Sequence, residues 1–252
     1  MIFEGKTVLI TGASSGIGLC AAKNMAAEGA NVVMVASHPE KLEEAAAEIR
    51  KQGYCAHAKV ADVTKYEDVL DACRYAYETF GSLDITVSCA GGSACRIKGI
   101  LDKEFKDIPM DVLDWGLDLN MKGPFYMGHA AMQYMSKQNS GVIINIGSIS
   151  GEEGSHLGVD YSTAKSGIMY GFTKSLAIYA AQYGVRVCCV SPGPVLTRPA
   201  MKNMDTLLGR AAEPQEIVDM IMYLASDKAA FITGTNYLVD GGRLILRNKG
   251  NT

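Results

Sequence analysis

A single doubly wound parallel α/β sheet, with helices on both faces, is the fold class that three features of the sequence predict. Short apolar strands alternate with helical stretches along the whole chain. The first strand runs at once into a glycine turn that opens a helix. A later apolar run, Val142-Ile143-Ile144-Asn145-Ile146-Gly147, reads as a buried strand that delivers Ser148 to its carboxyl end. The chain has 252 residues, 48% of them hydrophobic, and 27 glycines, enough to bury the core of one large domain or two small ones. No linker divides it, so one domain over residues 1–252 is expected.

In chain order, Thr7-Val8-Leu9-Ile10 is the first strand, followed by Thr11-Gly12-Ala13-Ser14-Ser15-Gly16-Ile17-Gly18 and a helix-forming run to Gly29. Glycines let the backbone turn sharply and approach a pyrophosphate, whose charge the helix N-terminus, about half a unit positive, then stabilises. A merely tight turn is the alternative, but the setting between a strand and a helix favours a bound dinucleotide. The second strand, Asn31-Val32-Val33-Met34-Val35, ends at Ala36-Ser37-His38, where doubly wound folds meet the adenosine ribose. No carboxylate stands there to bind the ribose hydroxyls and repel a 2'-phosphate. A helix from Pro39 to Gln52 and a strand from Cys55 to Val60 lead to Asp62. That acid either accepts from the adenine amino group or caps the segment after it.

A helix from Lys65 to Phe80 precedes the fourth strand, Asp84 to Ser88, and the small residues Cys89-Ala90-Gly91-Gly92. Such residues at a strand's carboxyl end suit close backbone approach to a ligand, or simply a tight turn. Ser93 to Asp107, with Arg96, Lys98, Lys103, Glu104, Lys106 and Asp107 among few apolar residues, reads as a loop at the rim. The helix that begins near Met110 carries Asn120 on its apolar face, either as packing glue or as the water-holding member of a proton path.

Beyond Ser148, a helix is predicted from Gly158 to Tyr179 by the spacing of Ile168, Phe172, Leu176 and Tyr179. It stacks Tyr161 and Lys165, four apart, on one face. A phenol, with an ordinary pKa of about 10, serves as a base near neutrality only if a cation favours its anion by about 4 kcal/mol. An ammonium one turn away supplies much of that; the alternative is a lysine snorkelling past a half-buried ring. A sixth strand, Val185 to Val190, then ends in the rigid turn Ser191-Pro192-Gly193-Pro194-Val195-Leu196-Thr197. The segment Arg198 to Ala212, a helix from Pro214 to Ser226 and a last strand, Asn236 to Gly242, complete the chain.

Several functions are excluded by composition. Net charge is -3 with the signs interspersed and no basic run, so nucleic acid is not an expected partner. The opening Met1-Ile2-Phe3-Glu4-Gly5-Lys6 lacks the pattern of a signal peptide, and no apolar stretch nears the roughly 18 residues that span a bilayer. A cytoplasmic protein is expected. Seven scattered cysteines, Cys20, Cys55, Cys73, Cys89, Cys95, Cys188 and Cys189, fit reduced core residues. His38, His57, His129 and His156 show no ligand spacing, so no bound metal is implied.

Taken together, Thr11-Gly12-x-x-x-Gly16-x-Gly18, Asp62-Val63, Ala90-Gly91, Asn120, Ser148, Tyr161-x-x-x-Lys165, Pro192-Gly193 with Thr197, and Thr233-Gly234 before Val239-Asp240-Gly241-Gly242 resemble the short-chain dehydrogenase/reductase family in its compact single-domain branch. The family usually has two asparagines before that Ala-Gly, where this chain has Ser88-Cys89. The resemblance implies a Rossmann fold and NAD(P)-dependent interconversion of a secondary alcohol and a ketone. It implies Tyr161 as general acid/base, Ser148 orienting the substrate oxygen, Lys165 supporting the tyrosine and holding the nicotinamide ribose, and Asn120 supporting a relay water. The cofactor would lie along Gly12, Ser14, Ser15, Gly16, Ile17, Gly18, Ser37, His38, Asp62, Val63, Ala90, Gly91, Tyr161, Lys165, Pro192, Gly193, Val195 and Thr197. With Ala36 in place of an acid, and Ser37, His38 or Lys41 free to meet a 2'-phosphate, NADP(H) is expected ahead of NAD(H). A homotetramer or homodimer is implied as well, built on the helices of Asn120 and Tyr161, with the apolar end from Leu238 to Leu246 available for pairing. Glu152, Glu153, His156 and Asp160, the Arg96/Lys98 loop and a short lid at 198–212 would line the substrate site. Those acids suit a polyol or sugar-type alcohol, ahead of a hydroxysteroid, with a 3-oxoacyl thioester third. Ser148 as a nucleophile is excluded by the lack of an activating histidine. A non-catalytic NAD(P)-binding sensor is the alternative of another class.

Overall fold

The computed structural model describes residues 1–247; residues 248–252, the end of the expected domain, lie outside the described residues. Seven strands form one sheet in the order 3-2-1-4-5-6-7: β1 (Thr7–Thr11), β2 (Asn31–Ala36), β3 (Ala56–Val60), β4 (Ile85–Ser88), β5 (Gly141–Ile146), β6 (Val185–Pro192) and β7 (Asn236–Val239). All six pairings are parallel. The order reverses between β1 and β4, so the crevice of this sheet opens at their carboxyl ends.

The inner strands β1, β2, β4, β5 and β6 are buried on both faces, which is why they read as largely apolar runs, whereas the edge strands β3 and β7 are only partly buried. Alternation of side chains still assigns each residue to a layer. Val8, Ile10, Val32, Met34 and Ile144 pack with α1 (Gly16–Ala27), α2 (Pro39–Lys51) and, further on, α10 (Pro214–Ala225). Leu9, Val33, Val35, Ile143 and Val187 face the other way, onto α3 (Tyr66–Phe80), α6 (Gly123–Gln138) and α9 (Thr173–Ala181). Each large aliphatic side chain so buried stabilises the fold by about 1.5–3 kcal/mol.

Two departures from the sequence reading bear on the site. The rim segment is more ordered than a loop, because Ser93 accepts from the Arg96 amide and caps α4 (Ala94–Ile97). A 3-10 turn follows at Phe105–Asp107. The helix expected as one rod from Gly158 to Tyr179 is α8 (Val159–Ser166), a π-helical stretch Gly167–Phe172, and α9. The helix with Asn120 is interrupted in the same way, α5 (Met110–Leu117) passing through a π-helical stretch Asp118–Lys122 into α6. Such wide turns shift the register of a helix by one residue without changing its apolar periodicity enough to be read. Two further short helices, α7 (Ser150–Glu153) and α11 (Arg243–Arg247), flank the site; α11 lies within the segment read as an apolar pairing end.

Candidate active site

Five chain segments converge at the carboxyl ends of β1, β4, β5 and β6. The glycine turn after β1 depends on its residue types. Gly12 has φ +65° and Gly16 φ +56°, left-handed conformations that favour glycine. A Cβ on Gly12 would stand 2.8 Å from the Ala90 amide nitrogen, and one on Gly18 would collide with the Gly12 carbonyl oxygen. A Cβ on Gly16 would lie 3.2 Å from the Thr197 side chain, so the turn after β6 closes over the turn after β1. Ser15, the N-cap of α1, makes no side-chain capping bond, and no acidic residue lies in the first turn. The amides at this helix end are thereby left for an anion. In contrast, α10 has Glu213 and Glu216 as a capping box.

Around the end of β4, the Ala90 amide donates to the Thr11 hydroxyl at 3.2 Å. Asn120 is fully buried, and its side-chain partners are backbone groups. Oδ1 accepts from the Gly92 amide at 2.8 Å, while Nδ2 donates to the carbonyls of Gly92 and Gly116, each at 2.9 Å. The side chain is therefore a clamp between the turn after β4 and α5. Reasoning from sequence missed Gly92 and Gly116 as its partners; the mid-helical glycine at 116 was the available signal.

Lys165 is 3% exposed on α8. Its Nζ donates to the Ile146 carbonyl at the end of β5, at 2.7 Å, and stands 5.6 Å from the Tyr161 ring centroid. A Cβ on Gly91 would lie 3.4 Å from that Nζ and 2.8 Å from Asn120 Oδ1. Lys165, Asn120 and the Ala90-Gly91 turn are thus one contiguous cluster. Ser148, two residues beyond Ile146, is nearly buried, and its Oγ accepts from the Ser150 amide at 3.2 Å. Gly151 lets α7 approach α8 closely, since a Cβ there would stand 2.8 Å from the Ser166 nitrogen.

Other expected cofactor contacts are placed as follows. Ser37 and His38 are exposed at the end of β2, with His38 the N-cap of α2 but making no side-chain capping bond. Asp62 spends Oδ1 on the amide and hydroxyl of Thr64, at 3.0 and 2.8 Å, which realises the capping alternative for that oxygen. Val63 packs on Gly123. Gly193 fits against Asp240, where a Cβ would meet the Asp240 Cα at 2.7 Å, and its amide bonds the Val239 carbonyl at 2.9 Å. Val195 is buried and bridges Ala212, and the Pro192 carbonyl accepts from the Ile149 amide. Burial pushes the thiol of Cys89 up to about 12 and that of Cys189 up to about 11, the nearby Lys165 charge opposing each shift. Ser88, where the family has asparagine, is buried with a hydroxyl lacking a hydrogen-bond partner among the described residues.

Of the acids expected at the substrate rim, two are engaged by other side chains and one is buried. Glu152 accepts from the Tyr170 hydroxyl, and Glu153 pairs with Arg243 at 3.0 Å in a contact where the two side chains are only 6% and 10% exposed. Asp160 is buried, its carboxylate lying against Gly116 and Ala94. Their partners come from distant segments, which local sequence does not reveal. The lid is also tied down: Leu208 bonds the Gly241 carbonyl, and Arg210 forms a bidentate pair with Glu216 at 2.6 and 2.7 Å. Among the described residues no group of three or more His, Cys, Asp or Glu could hold a metal ion, and no helix is long and apolar enough to cross a membrane.

The glycine cradle and the uncapped helix end fit a dinucleotide, and the Tyr/Lys cluster beside it fits an enzyme of hydride transfer. The chain belongs to the short-chain dehydrogenase family: the model described as "short chain dehydrogenase" matches residues 6–207. It is an NAD(P)-dependent oxidoreductase acting on CH–OH and ketone groups. Among curated relatives, L-rhamnose 1-dehydrogenase (NAD(P)(+)) of Sphingomonas sp. is 35% identical, covering 97% of this chain and 98% of that protein. The 7alpha-hydroxysteroid dehydrogenase of Bacteroides fragilis is 31% identical with 96% of each covered, and the 3-oxoacyl-[acyl-carrier-protein] reductase of Escherichia coli is 34% identical with 96% and 98% covered. The crystal structure of gox2181 matches with a TM-score of 0.87 at 29% identity, covering 96% of both chains.

Proposed function

We propose that Tyr161 is the general acid/base for interconversion of a secondary alcohol and a ketone, with Ser148, Lys165 and Asn120 as its supporting set. The observation that carries this reading is the buried Lys165 ammonium, held by the Ile146 carbonyl at 2.7 Å and set 5.6 Å from the Tyr161 ring. Bound nicotinamide nucleotide supplies or accepts the hydride. Tyr161 as phenolate removes the alcohol proton, and as phenol returns a proton to the carbonyl oxygen. The ammonium stabilises the anionic form, at low local dielectric because Lys165 is buried. Only one of its three N–H donors is spent on Ile146, which leaves donors for the ribose of the cofactor. Ser148 hydrogen-bonds the reacting oxygen and fixes its direction toward Tyr161. Asn120 holds the turn after β4 in place.

The cofactor lies along the glycine turn, Ala90-Gly91, and Pro192-Gly193 to Thr197, with NADP(H) ahead of NAD(H). The exposed Ser37 and His38 at the end of β2, with no carboxylate at Ala36, support that preference. Fluorescence titration with both cofactors tests it; tighter binding of NAD(H) overturns it. The protein works as one domain in the cytoplasm, supported by seven free cysteines, and as a homotetramer or homodimer. Exposed Met121 and Phe125, together with Ile178 and Tyr179, support an interface on these helices. Sedimentation of a monomer at micromolar concentration would refute it.

For the substrate, the acidic-loop argument for a polyol fails with Glu152, Glu153 and Asp160 engaged or buried. A sugar-type or steroid-type ring alcohol rests instead on the relatives that act on rhamnose and hydroxysteroids. A cofactor-absorbance screen in both directions against polyols, hydroxysteroids and 3-oxoacyl thioesters tests it. Efficient turnover of the thioesters alone assigns the other class.

A further inference from the structure

Arg96 and Arg198 are exposed residues beside the turns that follow β4 and β6. Among the described arginine side chains, Arg50, Arg74, Arg210 and Arg243 bond carboxylates, and Arg186 bonds the carbonyls of Leu224, Ser226 and Ile232. Arg96 and Arg198 have no oxygen partner among the described residues; the Arg198 guanidinium bonds the Met201 sulfur at 3.6 Å. A guanidinium carries five donors, and its planar fork matches an oxyanion.

Their positions are not those of idle surface residues. Arg96 follows β4 and Arg198 follows β6, the two strands that flank β5, which carries Ser148. The Arg96 guanidinium lies over Gly92, where a Cβ would stand 2.7 Å from Nη2 and so collide. Gly92 is the residue that Asn120 clamps from the other side. Arg198 directly follows Thr197, whose side chain covers Gly16. Burial first, and then the charge of Arg96, lowers the proton affinity of Arg198, while the charge of a Tyr161 phenolate raises it. Of the acids expected at the rim, Glu152 accepts from Tyr170, Glu153 pairs with Arg243, and Asp160 is buried beside Gly116. Lys98, on the same rim segment as Arg96, sits over the Trp115 ring at 4.4 Å.

We propose that Arg96 and Arg198 form a two-sided clamp for an oxyanion at the mouth of the cleft, so that the substrate is a secondary alcohol or ketone bearing a carboxylate or a phosphate. This deepens the hydride-transfer reading and rests on it. The clamp adds attraction and orientation: with the oxyanion held between the two rims, the carbinol carbon beneath it points to Ser148 and Tyr161. The anion makes its bonds with the donors that neither arginine uses within the protein.

The test uses three ketones of one skeleton, 3-oxocyclohexanecarboxylate, its methyl ester and 3-oxocyclohexyl phosphate. Calorimetric binding is measured on Tyr161→Phe protein saturated with oxidised cofactor, which has no hydride to give a ketone. At least one anion is expected to bind tenfold or more tightly than the ester, and whichever does so identifies the oxyanion. Arg96→Gln and Arg198→Gln in that background are each expected to erase most of the preference, whereas Lys98→Gln retains it. Affinity for the cofactor is expected to stay within twofold in both arginine variants. The inference is overturned if neither anion binds more tightly than the ester, if Lys98→Gln loses as much as the arginine variants, or if the arginine variants lose cofactor instead. Failure of the hydride-transfer reading shows elsewhere, as an absence of turnover by the wild-type enzyme on every alcohol and ketone screened.

Discussion

Asn120 and Gly92 hold each other by two hydrogen bonds of opposite sense: the Gly92 amide donates to Oδ1 at 2.8 Å, and Nδ2 donates back to the Gly92 carbonyl at 2.9 Å. A third bond, from Nδ2 to the Gly116 carbonyl, ties the same side chain to α5. Removing a buried partner leaves backbone groups unsatisfied at about 1–3 kcal/mol each. Asn120→Ala is expected to lower stability by about 2–3 kcal/mol in urea unfolding and to cut kcat more than tenfold, since the Ala90-Gly91-Gly92 turn loses its clamp. Unchanged stability would show that the turn holds itself.

Gly12→Ala tests the cradle. The residue has a left-handed φ of +65°, and its Cβ would face backbone atoms of Ala90 that no rotamer change can move. Strain and overlap together are expected to cost about 2–4 kcal/mol. Cofactor affinity should fall by an order of magnitude or more in a fluorescence titration, because the two turns can no longer meet. A variant that binds cofactor normally would place the dinucleotide elsewhere.

The lid offers a pH test. Bonds from the Arg210 guanidinium, with the Glu213 amide, hold the Glu216 carboxyl down to about 2, below its ordinary value of 4.5. A carboxyl depressed in the folded state contributes stability above its ordinary pKa and loses it as pH falls toward the folded value. Thermal melts should therefore show wild type above Glu216→Gln at neutral pH, with the gap closing as pH falls from about 4.5 to about 2. Glutamine can still accept from the Glu213 amide, which isolates the charge. A gap constant across that range would assign the effect to packing.

Much of this was legible along the chain. Parallel strands buried on both faces announce themselves as apolar runs, and Gly12, Gly16 and Gly18 need only their neighbours in sequence to be understood. The Tyr161/Lys165 pair was legible for the same reason, four residues apart on one helix. What stayed hidden depends on residues far apart. The engagement of Glu153 by Arg243 joins positions 90 residues apart, and it occupies one of the acids read as lining the substrate site. Sheet order is likewise what brings the segments of Arg96 and Arg198, after β4 and β6, to either side of β5. The π-helical stretches at Asp118–Lys122 and Gly167–Phe172 displace the backbone by one residue, too little to disturb the apolar pattern.

The most direct test of the central claim is single-turnover hydride transfer, followed by nicotinamide absorbance on an alcohol that wild type oxidises, in Tyr161→Phe protein saturated with cofactor. Phenylalanine keeps the ring beside Lys165 and removes only the hydroxyl that moves the proton. The expected result is cofactor affinity within about twofold of wild type, with the hydride-transfer rate lowered by about 100-fold or more, the scale of general acid/base catalysis. Transfer at a near wild-type rate would contradict the assignment of Tyr161 as the proton-carrying group.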